Sequence, residues 1–421
     1  MANFTPSQAR AFERLTSGAN CFVTGQAGHG KSWLIERFIE WLRQNKRPYV
    51  AVAPTGIAAL NLPDGVTIHR AFGIYPRPVY SMAYTPQVPQ QLEGVQTIII
   101  DEVSMVRCDL FDAIARMMME LPSEPQVVVV GDFFQLPPVI TDREASDFHF
   151  EYPKAKSGFA FEGSMWDVFH FECLELVECV RQSEGEFIDN LDRARLGDAS
   201  CIPYFNERVG KRPAEDAIRL FGTNKKADSY NKMCVRRLKQ PIVRFTGRSV
   251  GDVKDSDKAA PQDLELAVGA RVMAVANELF GSYVNGSFGV ITNIAGSASN
   301  PSVTVRFDGS ERPIMIVPHT WKINALKHVV NEDDAGMVES VGEYTQIPLK
   351  LGYAITMHKS QGQTYDACHI EPNAFADGQL YVALSRCRKF DGLTLASPIR
   401  GSDLMASESV NDFYGRMRGA A

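Results

Sequence analysis

Of the 421 residues, 45% are hydrophobic and 22% charged, with a formal net charge of −6. That is the make-up of a folded enzyme with room for about two to four domains. No apolar stretch approaches the ~20 residues that span a bilayer, and the start, Met1 to Pro6, lacks the basic-then-apolar pattern of a signal peptide. The eight scattered cysteines form no C-x-x-C pair, which argues against a disulfide framework or zinc site and fits a reducing cytoplasm. The acidic balance leaves nucleic-acid binding open, because the local field of a groove governs it rather than the sum of charges.

Asn20 to Thr24 reads as a short buried strand, and Gly25-Gln26-Ala27-Gly28-His29-Gly30-Lys31-Ser32 completes the pattern G-x-x-x-x-G-K-[ST]. Gly25, Gly28 and Gly30 let backbone N–H groups curl round phosphate oxygens, Lys31 can reach the β/γ-phosphates, and the Ser32 hydroxyl can hold Mg²⁺. From Ser32 to Arg43, the residues Leu34, Ile35, Phe38, Trp41 and Leu42 recur at helical spacing, so a helix N-terminus faces the anion. Strand, glycine loop and helix together predict nucleotide binding.

Further along, Tyr49 to Ala53, Thr97 to Ile100 and Val127 to Val130 are apolar runs without alternation, as in parallel strands covered by helices on both faces. A helix is expected over Leu110 to Leu121. Asp101 and Glu102 follow the second run, at the carboxyl end of a strand, where ligands bind in open α/β sheets. There Asp101 can hold Mg²⁺ and Glu102 can orient or deprotonate the attacking water. Gly131 to Pro138 follows the third run in the same way and places Gln135 to sense the γ-phosphate or its attacking water. Gly73 to Gln91, with four prolines and three tyrosines, interrupts this unit as an irregular piece.

A second α/β unit is expected from about Val180, with strands at Ala217 to Phe221, Cys368 to Glu371 and Leu393 to Leu395. Between the first two of these, Pro241 to Pro348 changes character: short strands divided by Gly, Pro and Asn suit a small antiparallel barrel. Within it, polar Gly251 to Asp263 reads as a mobile loop. Arg181, in Val180-Arg181-Gln182, and Arg386, in Tyr381 to Cys387, are candidates for neutralising charge on a transferred phosphoryl group.

Taken in order, these motifs resemble superfamily 1 helicases. They are Gln8 in Thr5-Pro6-Ser7-Gln8, the phosphate loop, Ala53 to Ala59, Thr67 to Arg70, Asp101 to Met105, Gly131 to Pro138, Arg181-Gln182, His358 to Gly362, and Tyr381 to Cys387. The stretch from Asp101 through Leu110-Phe111-Asp112 to Arg116 resembles the signature helix of the Pif-type (petite integration frequency) branch, superfamily 1B, whose relatives include the Dda and RecD helicases. The resemblance spans roughly Thr5 to Arg388.

That resemblance implies an α/β fold of two RecA-like P-loop domains, with a wedge insertion (about 73–91) in the first and an SH3-like β-barrel insertion in the second. The expected boundaries are 1–180 for the first domain, 181–240 plus 349–421 for the second, and 241–348 for the barrel. It implies that Gln8 reads the adenine edge. Lys31, Ser32, Asp101 and Glu102 would serve ATP and Mg²⁺, with Gly362 also at the nucleotide, and Gln135, Arg181 and Arg386 would sense or stabilise the γ-phosphate. Thr55, His69, Asn224, His358, Lys359 and Ser360 would contact single-stranded DNA; Thr223-Asn224 could instead cap the helix Lys225 to Leu238. Hydroxyl, amide and imidazole groups can bind phosphate oxygens without reading bases, as translocation requires.

By the same likeness the chain would be a monomeric 5′-to-3′ helicase of bacterial or phage type, cytoplasmic and nucleoid-associated, acting in replication, repair or recombination. Its partners would be single-stranded DNA, forked or tailed duplexes, and single-stranded-DNA-binding or replication proteins. Two rival readings stay open at this point. One is a DNA-stimulated translocase that displaces proteins without separating strands. The other is a nucleotide-switched binding module, against which the His358 to Gly362 segment argues.

Overall fold

The computed structural model describes residues 4–74, 88–141, 144–178, 185–278, 283, 285–297, 300–326 and 338–419. Helix α1 (Pro6–Thr16) opens the chain behind a capping box formed by Thr5 and Gln8. The strands β1 (Cys21–Gly25), β2 (Tyr49–Ala53), β3 (Val66–Thr67), β4 (Thr97–Ile100), β5 (Gln126–Val130) and β6 (Glu172–Leu176) form one six-stranded sheet in the order β3-β2-β4-β5-β1-β6. All its pairings are parallel.

The apolar runs are explained by burial on both faces. Along β1, Phe22 enters one core while Cys21 and Val23 enter the other, and Ile98 and Ile99 part in the same way on β4. One face is covered by α1 and α2 (Lys31–Gln44), the other by α5 (Cys108–Met119). The short helices α3 (Gly56–Leu60) and α4 (Ile68–Ala71) follow β2 and β3, and α6 (Ala145–Glu151) follows β5. Strands β3 and β6 escaped the sequence reading: β3 has two residues, and β6 carries glutamates at an edge where only Leu176 is buried.

Beyond α7 (Gly185–Arg195), α8 (Ile202–Asn206), β7 (Ile218–Phe221) and α9 (Asn224–Arg237), the chain enters a set of antiparallel sheets. These pair β8 (Val243–Thr246) with β10 (Asp263–Leu266). They also join β9 (Arg248–Gly251) to β16 (Val338–Gln346) and β15 (His319–Leu326). The largest runs β14 (Ile314–Ile316), β13 (Asn300–Phe307), β12 (Phe288–Ser297), β11 (Arg271–Ala274), β17 (Leu349–Leu351). The chain then returns to β18 (Ala354–Thr356), β19 (Cys368–Ile370) and β20 (Leu393–Leu395), which with β7 build a four-stranded parallel sheet in the order β18-β7-β19-β20. Helix α10 (Gln379–Leu384) packs in that second core, and α11 (Glu408–Gly419) ends the described chain.

Three expectations need correction. Residues 349–421 do not all belong to the second unit. Leu349–Leu351 pairs with β11 inside the inserted sheets, and α11 lodges Val410, Phe413 and Tyr414 in the first core. There the Phe413 ring stacks on Phe161 at 4.2 Å and the Tyr414 hydroxyl lies 2.7 Å from Thr24 Oγ1. An amphipathic C-terminal helix carries no mark of which sheet will cover its apolar side. Secondly, Gly251 to Asp263 is not a free loop, because Asp257 is buried against Arg70 of α4 with Nη2 to Oδ2 at 2.9 Å. Thirdly, helix α9 begins at Asn224 behind Thr223, whose side chain makes no capping bond. Of the proline-rich piece, 75–87 lies outside the described residues; its flanks, Ile74 and Leu92, are buried in the first core.

Candidate active site between the two parallel sheets

The phosphate loop leaves β1 with three left-handed glycines, at φ 148° for Gly25, 92° for Gly28 and 80° for Gly30. A side chain at Gly25 would also meet the Leu176 carbonyl at 2.7 Å, so this turn admits only glycine. Gly30 is the residue ahead of α2, and the helix N-terminus opens on the loop. The Lys31 ammonium donates to the carbonyls of Gly25 (2.6 Å) and Gln26 (3.1 Å). Burial lowers its pKa against the pull of Asp132 and Glu102.

Asp101 and Glu102 extend from the end of β4. Asp101 Oδ1 accepts the Glu102 N–H at 2.8 Å, and Glu102 stands in the left-handed region at φ 51°. That conformation is uncommon for a residue with a side chain and concentrates at functional sites. Desolvation, with the Glu102 charge second, pushes Asp101 up to about 7. One cavity of about 60 Å³ is lined by Ala27, Gly28, Lys31, Ser32, Asp101, Glu102, Gly131 and Gln135 from the first unit, and by Gly362 and Arg386 from the second. Residues separated by hundreds of positions thus form the two walls of one cleft.

The facing wall is held by its own unit. Arg386 is 1% exposed. Its guanidinium donates to the carbonyls of Val382, Ser360 and Gln363 and to Ser385 Oγ. Four of the five N–H groups of an arginine are thereby occupied while the group borders the cavity. Gln361 crosses the cleft and donates from Nε2 to Glu102 Oε2 at 2.9 Å, and Gln26 Nε2 donates to Asp192 of α7 at 2.6 Å. Neither contact follows from local sequence, although Gln361 sits within the His358 to Gly362 motif.

Known proteins similar to this chain identify its family. Residues 3–200 match the family described as PIF1-like helicase. The ATP-dependent DNA helicase Pif1 of Bdellovibrio bacteriovorus is 30% identical over 441 residues, covering 99% of this chain and 92% of that protein. The chain belongs to the PIF1-like helicases. Among solved structures, it is similar to a Bacteroides sp Pif1 in complex with ADP-AlF4, with TM-score 0.85 at 30% identity over 100% of this chain and 98% of that one. It is also similar to Bacteroides Pif1 bound to ssDNA, with TM-score 0.71 at 30% identity over 100% of this chain and 98% of that one.

Within this PIF1-like fold the remaining candidates fall in several places. Gln8 is buried, with Oε1 accepting the Thr5 N–H and Nε2 donating to the His29 carbonyl at 3.3 Å. It therefore braces the phosphate loop, outside the set that lines the cavity. Arg181 lies outside the described residues. Thr55 caps α3, its Oγ1 accepting the Ala58 N–H at 3.2 Å. His69 lies on α4, half-buried, its pKa lowered by burial. Asn224 and Lys359, both exposed, share a groove of about 430 Å³ with Thr356 and Lys350. His358 is half-buried beside Lys359. Ser360 departs from expectation: it is fully buried, and its hydroxyl donates to the Met357 carbonyl at 2.6 Å. Its carbonyl holds Arg386, so the residue supports the nucleotide wall from within.

Proposed function

We propose that this PIF1-like helicase is an ATP-dependent DNA helicase that moves 5′ to 3′ along single-stranded DNA and unwinds tailed or forked duplexes. The observation that carries the reading is the two-walled cleft, with Lys31, Ser32, Asp101, Glu102 and Gln135 opposite Gly362 and Arg386. A nucleotide between walls from different units couples hydrolysis to their relative motion. The relatives support the substrates: one is named an ATP-dependent DNA helicase, and the titles of the similar structures include an ADP-AlF4 complex and a complex with ssDNA.

In this reading Lys31 leaves its two loop carbonyls for the β/γ-phosphates, Glu102 orients the attacking water, and Gln135 senses the γ-phosphate. Arg386 offers its remaining N–H to the transferred group, with Arg181 as a second cation. The residues at the cleft fit Mg²⁺: the Ser32 hydroxyl and the Asp101 carboxylate are hard oxygen donors in one cavity. Among the described residues no cluster of three metal-ligating side chains exists, as suits an ion held largely by substrate phosphates. When bound, Mg²⁺ would supply charge neutralisation to those phosphates. The inserted antiparallel sheets are read as an SH3-like clamp on the strand, and the Gly73 to Gln91 piece as the wedge. Asn224, His358 and Lys359, with Thr55 and His69 on the first unit, are the proposed contacts to the strand.

Unwinding of duplexes with a 5′ tail, a 3′ tail or none, alongside ATPase rates, tests the proposal. Stimulation by single-stranded DNA with unwinding of the 5′-tailed duplex is expected. No stimulation would overturn the motor reading, and preference for the 3′ tail would overturn the polarity. Stimulation without unwinding on any tail would leave a translocase.

A further inference from the structure

The helix that precedes Arg386 touches the first unit at two further points, through Gly378 and Tyr381, neither of which has been given a role above. At its start, Gly378 has φ 67°, and a side chain there would meet the carbonyl oxygens of Phe134 at 2.3 Å and Gln135 at 2.7 Å. The helix end is therefore pressed directly on the backbone that carries Gln135. One turn along, Tyr381 is 2% exposed, and its hydroxyl accepts the Ala27 N–H of the phosphate loop at 3.1 Å. Ala27 and Arg386 line the same cavity. Arg386 Nε in turn bonds the carbonyl of Val382, the residue after Tyr381, at 2.8 Å. The chain of contacts runs from loop amide to phenol to helix to guanidinium without a gap.

We infer that Tyr381 is a positioning residue for hydrolysis: its hydroxyl, seated on the Ala27 amide, sets the register of the Arg386-bearing helix against the phosphate loop. The inference rests on the proposed ATPase cleft and deepens it. Packing alone would centre the helix only roughly, because an apolar contact is non-directional, whereas a hydrogen bond weakens steeply with angle. Such placement matters because a displacement of about 1 Å can cost on the order of 10² in rate. Burial raises the Tyr381 pKa, so the phenol keeps its proton throughout the working range.

The test is a mutant cycle in the full chain, with single-stranded DNA saturating. Tyr381→Phe keeps the ring and removes only the oxygen. The expected result is a fall in kcat of about fivefold, the loss of one directed hydrogen bond, with the KM for ATP changed by less than about twofold. In an Arg386→Ala background the same change should cost nothing further, because the group being positioned is gone. A kcat for Tyr381→Phe within about twofold of the parent would overturn the inference. So would an equal loss in the Arg386→Ala background, which is the mark of a merely structural role; any loss of folded protein would appear in both backgrounds. Gly378→Ala, which pushes the same helix off Gln135, should reproduce the kcat loss and the non-additivity. If the parent enzyme itself shows no DNA-stimulated hydrolysis, it is the proposed function that fails.

Discussion

Arg195 of α7 holds both carboxylate oxygens of Asp132, Nε at 3.2 Å and Nη2 at 2.9 Å, with side chains 3% and 0% exposed. The two residues belong to opposite units, and Asp132 lies three positions before Gln135. The guanidinium also lies over the Phe134 ring, 4.2 Å from its centroid. A bidentate pair shut away from water thus ties the two units together beside the cleft.

Breaking that joint from one side should be costly. Arg195→Met leaves Asp132 buried without its cation, and the loss of stability should be about 3–5 kcal/mol. Urea denaturation followed by circular dichroism measures it. Arg195→Lys should recover only part, since an ammonium cannot span two oxygens or stack on Phe134 as a planar fork does.

Lys31→Ala should reduce ATP hydrolysis by on the order of 10² or more, because the charge aimed at the β/γ-phosphates is removed from the cleft. The fold should remain, since among the described residues the Lys31 ammonium bonds only carbonyls of its own loop. Steady-state ATPase with a thermal melt checks both halves.

Asp101 supplies a pH dependence. Its pKa is raised to about 7, by desolvation first and then by the Glu102 charge, above the usual ~3.9 of an unfolded chain. A raised carboxyl favours the folded state while it is protonated. Its contribution is complete below about pH 4 and is lost as pH rises to about 7. Without metal or nucleotide, the melting temperature should therefore carry a falling component across that window. Asp101→Asn, which has nothing to ionise there, should remove it; identical profiles for the two proteins would contradict the assignment.

DNA affinity should fall steeply with salt, since the proposed contacts are to phosphates. Lys359→Ala should lower the magnitude of the log–log slope by about 0.7, the value for one phosphate on a single strand. Fluorescence anisotropy with a labelled oligonucleotide at several salt concentrations gives the slope directly.

The insertion is tethered by Arg70, which bonds Asp257 at 2.9 Å and Asp252 at 3.2 Å. Arg70→Ala leaves buried Asp257 without this cation and should expose 252–258 to cleavage. Limited proteolysis with peptide mapping should show faster cutting there than in the parent chain.

Much of this protein is written locally. A phosphate loop needs glycines at fixed offsets, and doubly covered strands need unbroken apolar runs, so β1, β2, β4, β5 and the lining residues Lys31, Ser32, Asp101, Glu102 and Gln135 were legible from the chain itself. Each depends on neighbours a few residues away. What the chain could not disclose depends on which surfaces meet. That Phe413 and Tyr414 return to the first core, that Ser360 turns inward, that Asp257 finds Arg70, and that Tyr381 rests on the Ala27 amide are all decided by contacts across long sequence separations. Burial is non-directional, so an apolar helix face fits more than one core, and a polar side chain has no partner until two units close round it. The sequence determined the chemistry of each wall of the cleft. Only the tertiary structure decided how one wall is registered against the other, because directed hydrogen bonds and buried charge pairs exist only once both walls are in place.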